Sequence, residues 1–478
     1  MQAPTLTLSP LDGVVLVVFL AAILGLGFSA KLRDNSILQY LDAGRSLSMP
    51  AFVATLVSTW YGGVLAVGDS VKGFGLGGFM LNGVPYYLFA LLYAWFFANR
   101  VRSSAQISIP ERLGQRWGKS AGLVGAGLIF MLAVPAAHVL MLGTMLHLLT
   151  GWGLHTAIVV ATLGGTLFLY KGGLLADVRA GLLAFVMMYL GFFVIAGWCL
   201  IHYPPAEAFR HLDPSLKHWD GGVGWIGFLT FFVGASWTLV DPGFHQRVAS
   251  ARTPAVGRRG LYWCVAFWML FDILSMITGL YAISILNPSL AGLEFFPRLG
   301  NQILPPGLKA IFLCGLTGTI LSAMVGYTLV SGATFGREFL GRLKPNMDDA
   351  AIKYWTRVGF AISCVLSIGI AFAVDNVVLD LWYAYSGAVV GALLLPVTAV
   401  YVPRWQLKSS SKWATASMLA AFITSFAWLI WCKRTHNPEY KVSISGQGIV
   451  IGTLIPGLIV SAIVLGLGEV SGRRAFKT

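Results

Sequence analysis

The residues best suited to bind a ligand lie inside a segment that is apolar enough to cross a membrane. Residues 57–69 place Ser58, Trp60 and Tyr61 next to a pair of adjacent glycines. Glycine lowers the free-energy cost of unwinding a helix, and an unwound turn in lipid is stable only where it lines a cavity. The carbonyls that such a turn exposes can bind a cation or a polar solute. The segment therefore predicts ligand binding at membrane depth.

A second segment of the same character lies in the other half of the chain. Residues 234–243 contain Ser236, Trp237 and Asp241 and end on a Pro-Gly pair. Two interrupted spans at corresponding positions of two halves are typical of the central site of a transporter. The alternative is that glycine and other small residues only allow close helix packing. The occurrence of two such segments favours the binding site.

The composition excludes a soluble globular protein. Of the 478 residues, 57% are hydrophobic and 11% are charged, and the mean hydropathy is +0.76, as in a polytopic membrane protein. Most of the 33 Lys and Arg residues lie in alternate connections between apolar segments. The positive-inside rule places these connections in the cytoplasm, with the N-terminus outside and the C-terminus inside. The net charge of +14 is then an orientation signal, and no nucleic-acid partner is expected.

The predicted fold is an all-α membrane protein with about thirteen transmembrane helices in a single domain, residues 1–478. A span needs about 20 apolar residues. The segments that meet this length are approximately 12–30, 49–70, 78–98, 121–148, 154–170, 176–201, 223–245, 260–286, 309–336, 356–374, 377–402, 413–432 and 447–468.

The order of the spans predicts an internal repeat. Spans two to six and spans seven to eleven form two blocks of five, and each interrupted segment falls in the first span of its block. Because five is odd, the second block enters the membrane with the opposite polarity. The result is a 5+5 inverted repeat over about residues 48–201 and 222–403, with one helix before it and two after it. This is a LeuT-like arrangement.

Four short motifs occur in order along the chain. They are A-G-R-S-L at 43–47, I-P-E-R-L with R-W-G at 109–118, Y-K-G-G-L at 170–174, and H-Q-R, A-S-A-R and R-R-G at 245–260. On these motifs the chain resembles the sodium:solute symporter family over nearly its whole length. The resemblance implies a secondary active transporter that moves a small polar organic solute together with sodium by alternating access. The arginines of the motifs, Arg247 among them, are expected at cytoplasmic helix ends.

The resemblance also implies a sodium site between the first interrupted span and the ninth span. Ser58 and Tyr61 hold the matching positions on the first of these helices, and Thr319 and Ser322 on the other. A hard cation binds oxygen ligands, which carbonyls and hydroxyls supply inside a membrane protein. Sodium is therefore the expected coupling ion.

Two stretches depart from the pattern of the family. Ala323 has no hydroxyl where the family has serine or threonine, and Ala180, Gly181 and Ala184 stand where the family has the threonine, aspartate and glutamine of T-D-x-x-Q. The nearest acid is Asp177, one helical turn earlier. Asp177 either substitutes for the missing acid or, with Arg179, marks the cytoplasmic end of its helix.

These departures leave alternatives to sodium coupling open. Coupling to protons would use Asp241, Asp272 or His138, because ionisable groups at membrane depth are functional by default. The chain could also be an uncoupled carrier, or a membrane sensor that binds a solute without pumping it.

The solute site is expected where the interrupted spans meet spans four and eleven. Aromatic residues there offer stacking surfaces with polar tips, although many aromatic residues in membrane proteins are only interfacial anchors. The predicted residues are Trp60, Tyr61, Gly62, Gly63, His138, Ser236, Trp237, Asp241 and Tyr385, with Trp382 and Tyr383 as further aromatic residues. No Lys or Arg is clearly at membrane depth, so a neutral or zwitterionic solute is expected.

The sequence indicates transport and not catalysis. It contains no phosphate-binding P-loop and no Cys/His cluster with the spacing of a metal site. We therefore expect no enzyme activity and no covalent cofactor. The expected partners are the solute, sodium or protons, and lipids, in a monomer or weak oligomer of the plasma membrane (the inner membrane, in a bacterium).

Overall fold

Helices that can cross a membrane dominate the fold. The structure, a computed structural model, describes residues 5–210, 212–373, 385–401, 411–437, 441–444 and 447–475. Within these residues, 11 helical segments are long and apolar enough to span a membrane. Two shorter apolar helices, Leu154–Thr166 and Gly387–Tyr401, lie where spans five and eleven are predicted. The helical membrane class and the approximate number of spans are confirmed.

The α-helices are numbered here in chain order. They are α1 (Pro10–Phe28), α2 (Ile37–Asp42), α3 (Met49–Trp60), α4 (Val64–Phe74), α5 (Val84–Phe96), α6 (Ala98–Ser103), α7 (Ile109–Trp117), α8 (Lys119–Ala133), α9 (Ala136–Thr150), α10 (Leu154–Thr166), α11 (Leu169–His202), α12 (Pro205–Ala208), α13 (Gly224–Gly234), α14 (Pro242–Ser250), α15 (Pro254–Ile285), α16 (Gly292–Ile303), α17 (Leu308–Ala333), α18 (Gly341–Leu343), α19 (Asp349–Ala373), α20 (Gly387–Tyr401), α21 (Ser411–Arg434) and α22 (Leu454–Ala475).

Tighter and wider helical turns interrupt these elements. Short 3₁₀ helices cover Ala43–Arg45, Tyr61–Gly63, Pro214–Lys217 and Ala235–Leu239, and π-helical turns cover Phe79–Gly83 and Thr334–Leu340. Two strands, β1 (Lys441–Ile444) and β2 (Gln447–Val450), pair as an antiparallel hairpin. The hairpin corrects the predicted start of span thirteen at residue 447, because α22 begins only at Leu454.

The predicted fourth span is two helices. α8 ends at Ala133 and α9 begins at Ala136, with Val134 extended and Pro135 between them. Proline has no amide hydrogen and disfavours a helical conformation in the residue before it. This break was not predicted, and Val134 and Ala136 on its two sides border an internal cavity.

α17 forms the centre of the bundle and is buried along nearly its whole length. It packs against α11, α3 and α9. On α1, in contrast, Val14, Val17 and Val18 are each at least 60% exposed, as expected for side chains that face lipid. Gly173, in the Y-K-G-G-L motif, bends α11 near its start with φ of 51°, where a side chain would collide with the Tyr40 carbonyl.

Ion pairs and hydrogen bonds connect several segments at one end of the bundle. This is the end that the positive-inside rule assigns to the cytoplasm. Arg337 contacts Glu111 at 3.0 Å and Glu338 at 2.7 Å. Asp42, outside the spans, accepts a hydrogen bond from Ser250 and pairs with Arg45. Burial raises the pKa of the Asp42 carboxyl to about 6, against the lowering effect of Ser250 and Arg45. This end of the bundle is therefore closed by polar contacts.

Candidate functional site

The first predicted interruption is a single 3₁₀ turn between α3 and α4. It covers Tyr61–Gly63. A methyl group at Gly62 would overlap the Cβ of Ala323 on α17 and come within 2.7 Å of the His138 ring. Glycine is needed here because the turn presses directly against two other helices, and not for an unusual backbone angle. Gly62 therefore positions the site without lining it.

The second interruption is longer. After α13 the chain forms the 3₁₀ helix Ala235–Leu239, and Asp241 then caps α14 by accepting a hydrogen bond from the Phe244 amide at 2.8 Å. The same carboxylate accepts hydrogen bonds from Trp237 Nε1 at 3.2 Å and from the Tyr327 hydroxyl at 2.9 Å. Asp241 is 1% exposed. Because Asp241 accepts three hydrogen bonds, it holds the second interruption in place and does not face the cavity.

Both interruptions border one cavity of about 330 Å³. A volume of this size suits a small molecule. Six predicted residues line it: Trp60, Tyr61, Gly63, His138, Trp237 and Tyr385. Ser236 is buried but, like Gly62 and Asp241, is not part of the lining. Trp382 and Tyr383 lie outside the described residues.

Aromatic rings dominate the cavity. The ring of Trp60 lies 5.4 Å from that of Tyr86 and 5.3 Å from that of Trp268. His138 stacks on Tyr327 with ring centroids 5.3 Å apart. Such surfaces can stack on a solute and restrict its movement.

Several lining residues were not among the predicted site residues. Tyr86, Tyr87 and Asn82 come from the third predicted span, and Tyr327 comes from α17. Asp272, on α15, was considered only as a proton carrier. It lines the cavity and accepts a hydrogen bond from the Tyr87 hydroxyl. The Asn-Gly pair in the wide turn before α5 was the available signal for the residues of the third span.

The predicted cation ligands meet next to the first interruption. The Ser58 and Ser322 hydroxyl oxygens are 3.0 Å apart and both residues are buried. A Cβ at Gly181 would lie 3.5 Å from Ser322 Oγ and 3.6 Å from Ser58 Oγ. Gly181 therefore faces the two hydroxyls, in the direction from which an acid would reach them.

The other predicted ligands contribute less through their side chains. The Thr319 hydroxyl donates to the Gly315 carbonyl at 2.7 Å, within its own helix. The Tyr61 hydroxyl donates to the Trp268 carbonyl at 2.8 Å. Of the four predicted ligands, Ser58 and Ser322 thus bring their side-chain hydroxyls together at the candidate cation site. These oxygen donors suit a hard monovalent cation.

Arg247 lies in the last turn of α14, as expected for an arginine of the motifs, but it is buried. It is 1% exposed, and its guanidinium contacts the Asp177 carboxylate at 2.5 Å and the Gln246 side-chain oxygen at 2.9 Å. It also reaches the hydroxyl of Thr59, the neighbour of Ser58, at 3.5 Å. Asp177 is therefore paired with Arg247, while Arg179 bonds to Ser29.

Comparisons with known proteins agree with this geometry. No family model matches the sequence. A sodium/glucose cotransporter 4 of Danio rerio is 23% identical over 452 residues, which cover 83% of this chain and 68% of that protein. The structure of a substrate-bound, outward-open Na+-coupled sialic acid symporter superposes with a TM-score of 0.81 at 12% identity, covering 97% of this chain and 98% of the other. Mhp1, a nucleobase-cation-symport-1 family transporter, superposes with a TM-score of 0.59 at 13% identity, covering 93% and 96% of the two chains.

The fold is that of the LeuT-like secondary transporters. Within this class, the sequence similarity confirms the resemblance to the sodium:solute symporters that the motifs predict. The relatives are transporters and not enzymes, in agreement with the expectation for this chain.

Proposed function

We propose that this protein is a secondary active transporter that moves a small polar organic solute into the cell together with sodium, by alternating access. The observation that carries the proposal is the cavity between the two helix interruptions, with the Ser58–Ser322 pair beside it. The solute binds among Trp60, Trp237 and Tyr385. Sodium binds at the two hydroxyls and at carbonyls of the first interruption.

The direction of the cavity supports an outward-facing state. The lining extends along α4 through Val67 and Ser70, towards the end that lies outside if the N-terminus is outside. The opposite end is closed by the contacts of Arg247 and Arg337. We assign the two repeats to about residues 48–201 and 222–403, with the first interruption in one and the second in the other.

Sodium is expected to stabilise the purified protein, and Ser322→Ala is expected to abolish this effect because it removes one of the two hydroxyl ligands. A ligand at about 100 times its dissociation constant stabilises the folded state by about 2.7 kcal/mol. The measurement is the melting temperature in sodium, potassium and caesium chloride at equal ionic strength.

Ser331→Ala is the matched control for this experiment. Ser331 is a buried serine on the same helix, bonded to Ser363 at 2.7 Å. We expect Ser331→Ala to lower the melting temperature in all three salts. The rise in melting temperature caused by sodium should be the same as in the wild type. An unchanged sodium increment in Ser322→Ala would place the ion elsewhere. Equal melting temperatures in the three salts would instead indicate a proton-coupled or uncoupled carrier, or a sensor.

Gly181→Asp is expected to strengthen sodium binding at least tenfold. A Cβ at this position meets its neighbours at ordinary contact distances, and a carboxylate there could join the two hydroxyls as a ligand. The measurement is the sodium concentration at half-maximal stabilisation. Gly181→Asn adds nearly the same volume without charge, so it should not lower that concentration. A midpoint that does not fall in Gly181→Asp would contradict the site.

A further inference from the structure

Asp272 differs from the other acids buried around the cavity. Asp177 is paired with Arg247, and Asp241 accepts three hydrogen bonds. Asp272 lines the cavity, and its carboxylate accepts a hydrogen bond from the Tyr87 hydroxyl. The Tyr61 hydroxyl adjoins it. Neither the Tyr87 hydroxyl nor the Tyr61 hydroxyl carries a positive charge that could neutralise the Asp272 carboxylate.

Apart from the titratable His138, the described lining of the cavity has no basic side chain that could act as a counter-charge. Among the described residues that line it, none is Lys or Arg, and Asp272 is the one acid. An ionised carboxylate in a low-dielectric site is costly unless an opposite charge or several donors accompany it. A ligand with a positive charge would complete this site, whereas a ligand carboxylate would meet repulsion.

The aromatic lining suits the same ligand. Trp60, Tyr86, Trp237, Tyr327 and Tyr385 contribute rings to the cavity. The faces of such rings attract ammonium groups, most strongly where water is excluded. An aromatic enclosure with one carboxylate is therefore complementary in charge to an organic cation.

We propose that the solute is a small organic cation, an amine or quaternary ammonium ion, whose charged group binds between the Asp272 carboxylate and the aromatic rings. The proposal rests on the transport function proposed above and narrows its solute class. It replaces the neutral or zwitterionic solute expected from the sequence. The volume of about 330 Å³ limits the ligand to a small molecule.

The test compares cations with a neutral molecule of the same shape. Purified full-length protein in sodium chloride is titrated with tetramethylammonium, agmatine and choline, and with 3,3-dimethyl-1-butanol as the uncharged isostere of choline. The melting temperature is the readout. We expect at least one cation to stabilise the protein. We also expect choline to act at a concentration at least tenfold lower than its isostere.

Asp272→Asn tests the residue. It keeps the side-chain volume and removes the charge, so the affinity for the stabilising cation should fall at least tenfold and the preference for choline should disappear. Asp272→Glu retains the charge and should retain the preference. Asp213→Asn, an exposed aspartate before α13 that does not line the cavity, is the control and should bind as the wild type does.

The outcomes separate this inference from the proposed function. If sodium stabilises the protein but none of the three cations does, or if the uncharged isostere stabilises it as well as the most effective cation, the cationic solute is wrong and sodium coupling stands. If a cation stabilises through Asp272 but sodium has no effect, the solute class is supported and sodium coupling is wrong. The comparison of the cations with the uncharged isostere in the wild-type protein tests the proposed solute class even if Asp272→Asn does not fold.

Discussion

Arg247→Met is expected to destabilise the protein by about 3–5 kcal/mol, because it leaves the Asp177 carboxylate buried without its counter-charge. Arg247 and Asp177 are 1% and 2% exposed, so water cannot replace the lost contact. The substitution also removes the bonds to Gln246 and Thr59. The measurement is unfolding in detergent, followed by tryptophan fluorescence.

A double variant separates the charge from the packing. Arg247→Met with Asp177→Leu removes both charges, and replacing a buried ion pair by apolar residues is often neutral or stabilising. We therefore expect the double variant to melt above the single one. Arg259→Met, on the exposed start of α15, is the control and should change stability by no more than about 0.5 kcal/mol. If the single and double variants melt at the same temperature, the unpaired carboxylate is not the cause of the loss.

The sequence predicted the spans and both interruptions because their signals are local. Hydropathy marks each span within a window of about 20 residues, and the glycines at 62 and 63 mark the first turn. The second turn is marked by Asp241 and Pro242, a capping residue followed by proline at the first helical position. Of the six predicted solute residues that line the cavity, four belong to these interrupted segments: Trp60, Tyr61, Gly63 and Trp237.

The remaining part of the site depends on contacts between residues far apart in sequence. Nothing in the region around Asp272 indicates that Tyr87 donates to it, because the two lie 185 positions apart. Arg247 and Asp177 lie 70 positions apart, and each has other charged residues nearby in sequence. Such pairs follow from the packing of α5, α11, α14 and α15, which the pattern of one helix does not specify.

The position of Asp177 explains how this chain departs from the family pattern. The acid lies one turn from Gly181 and is neutralised by Arg247, while Gly181 itself faces Ser58 and Ser322. The candidate cation site therefore has the Ser58 and Ser322 hydroxyls, lacks a hydroxyl at Ala323, and has no carboxylate from α11 beside it. A cation held mainly by neutral oxygens is bound more weakly than one with a charged ligand. A weak sodium effect, strengthened by Gly181→Asp, is the consistent expectation.

Gly62→Ala is expected to reduce stability by about 1–3 kcal/mol and to weaken the sodium effect, because the added methyl group overlaps Ala323 and forces the first interruption away from α17. This separation would move the carbonyls of the turn away from Ser322. Both effects are measured from melting temperatures with and without sodium.

A compensating substitution makes the test specific. Ala323→Gly removes the methyl group that the new side chain meets, so the double variant should recover part of the lost stability. Recovery stays partial because the His138 ring lies 2.7 Å from the added atom. Gly127→Ala is the control, since a methyl group there meets no atom within 4 Å and alanine favours the helix. A Gly62→Ala variant with wild-type stability and sodium response would mean that the turn is not held against α17. The sodium ligands would then have to come from elsewhere in the bundle.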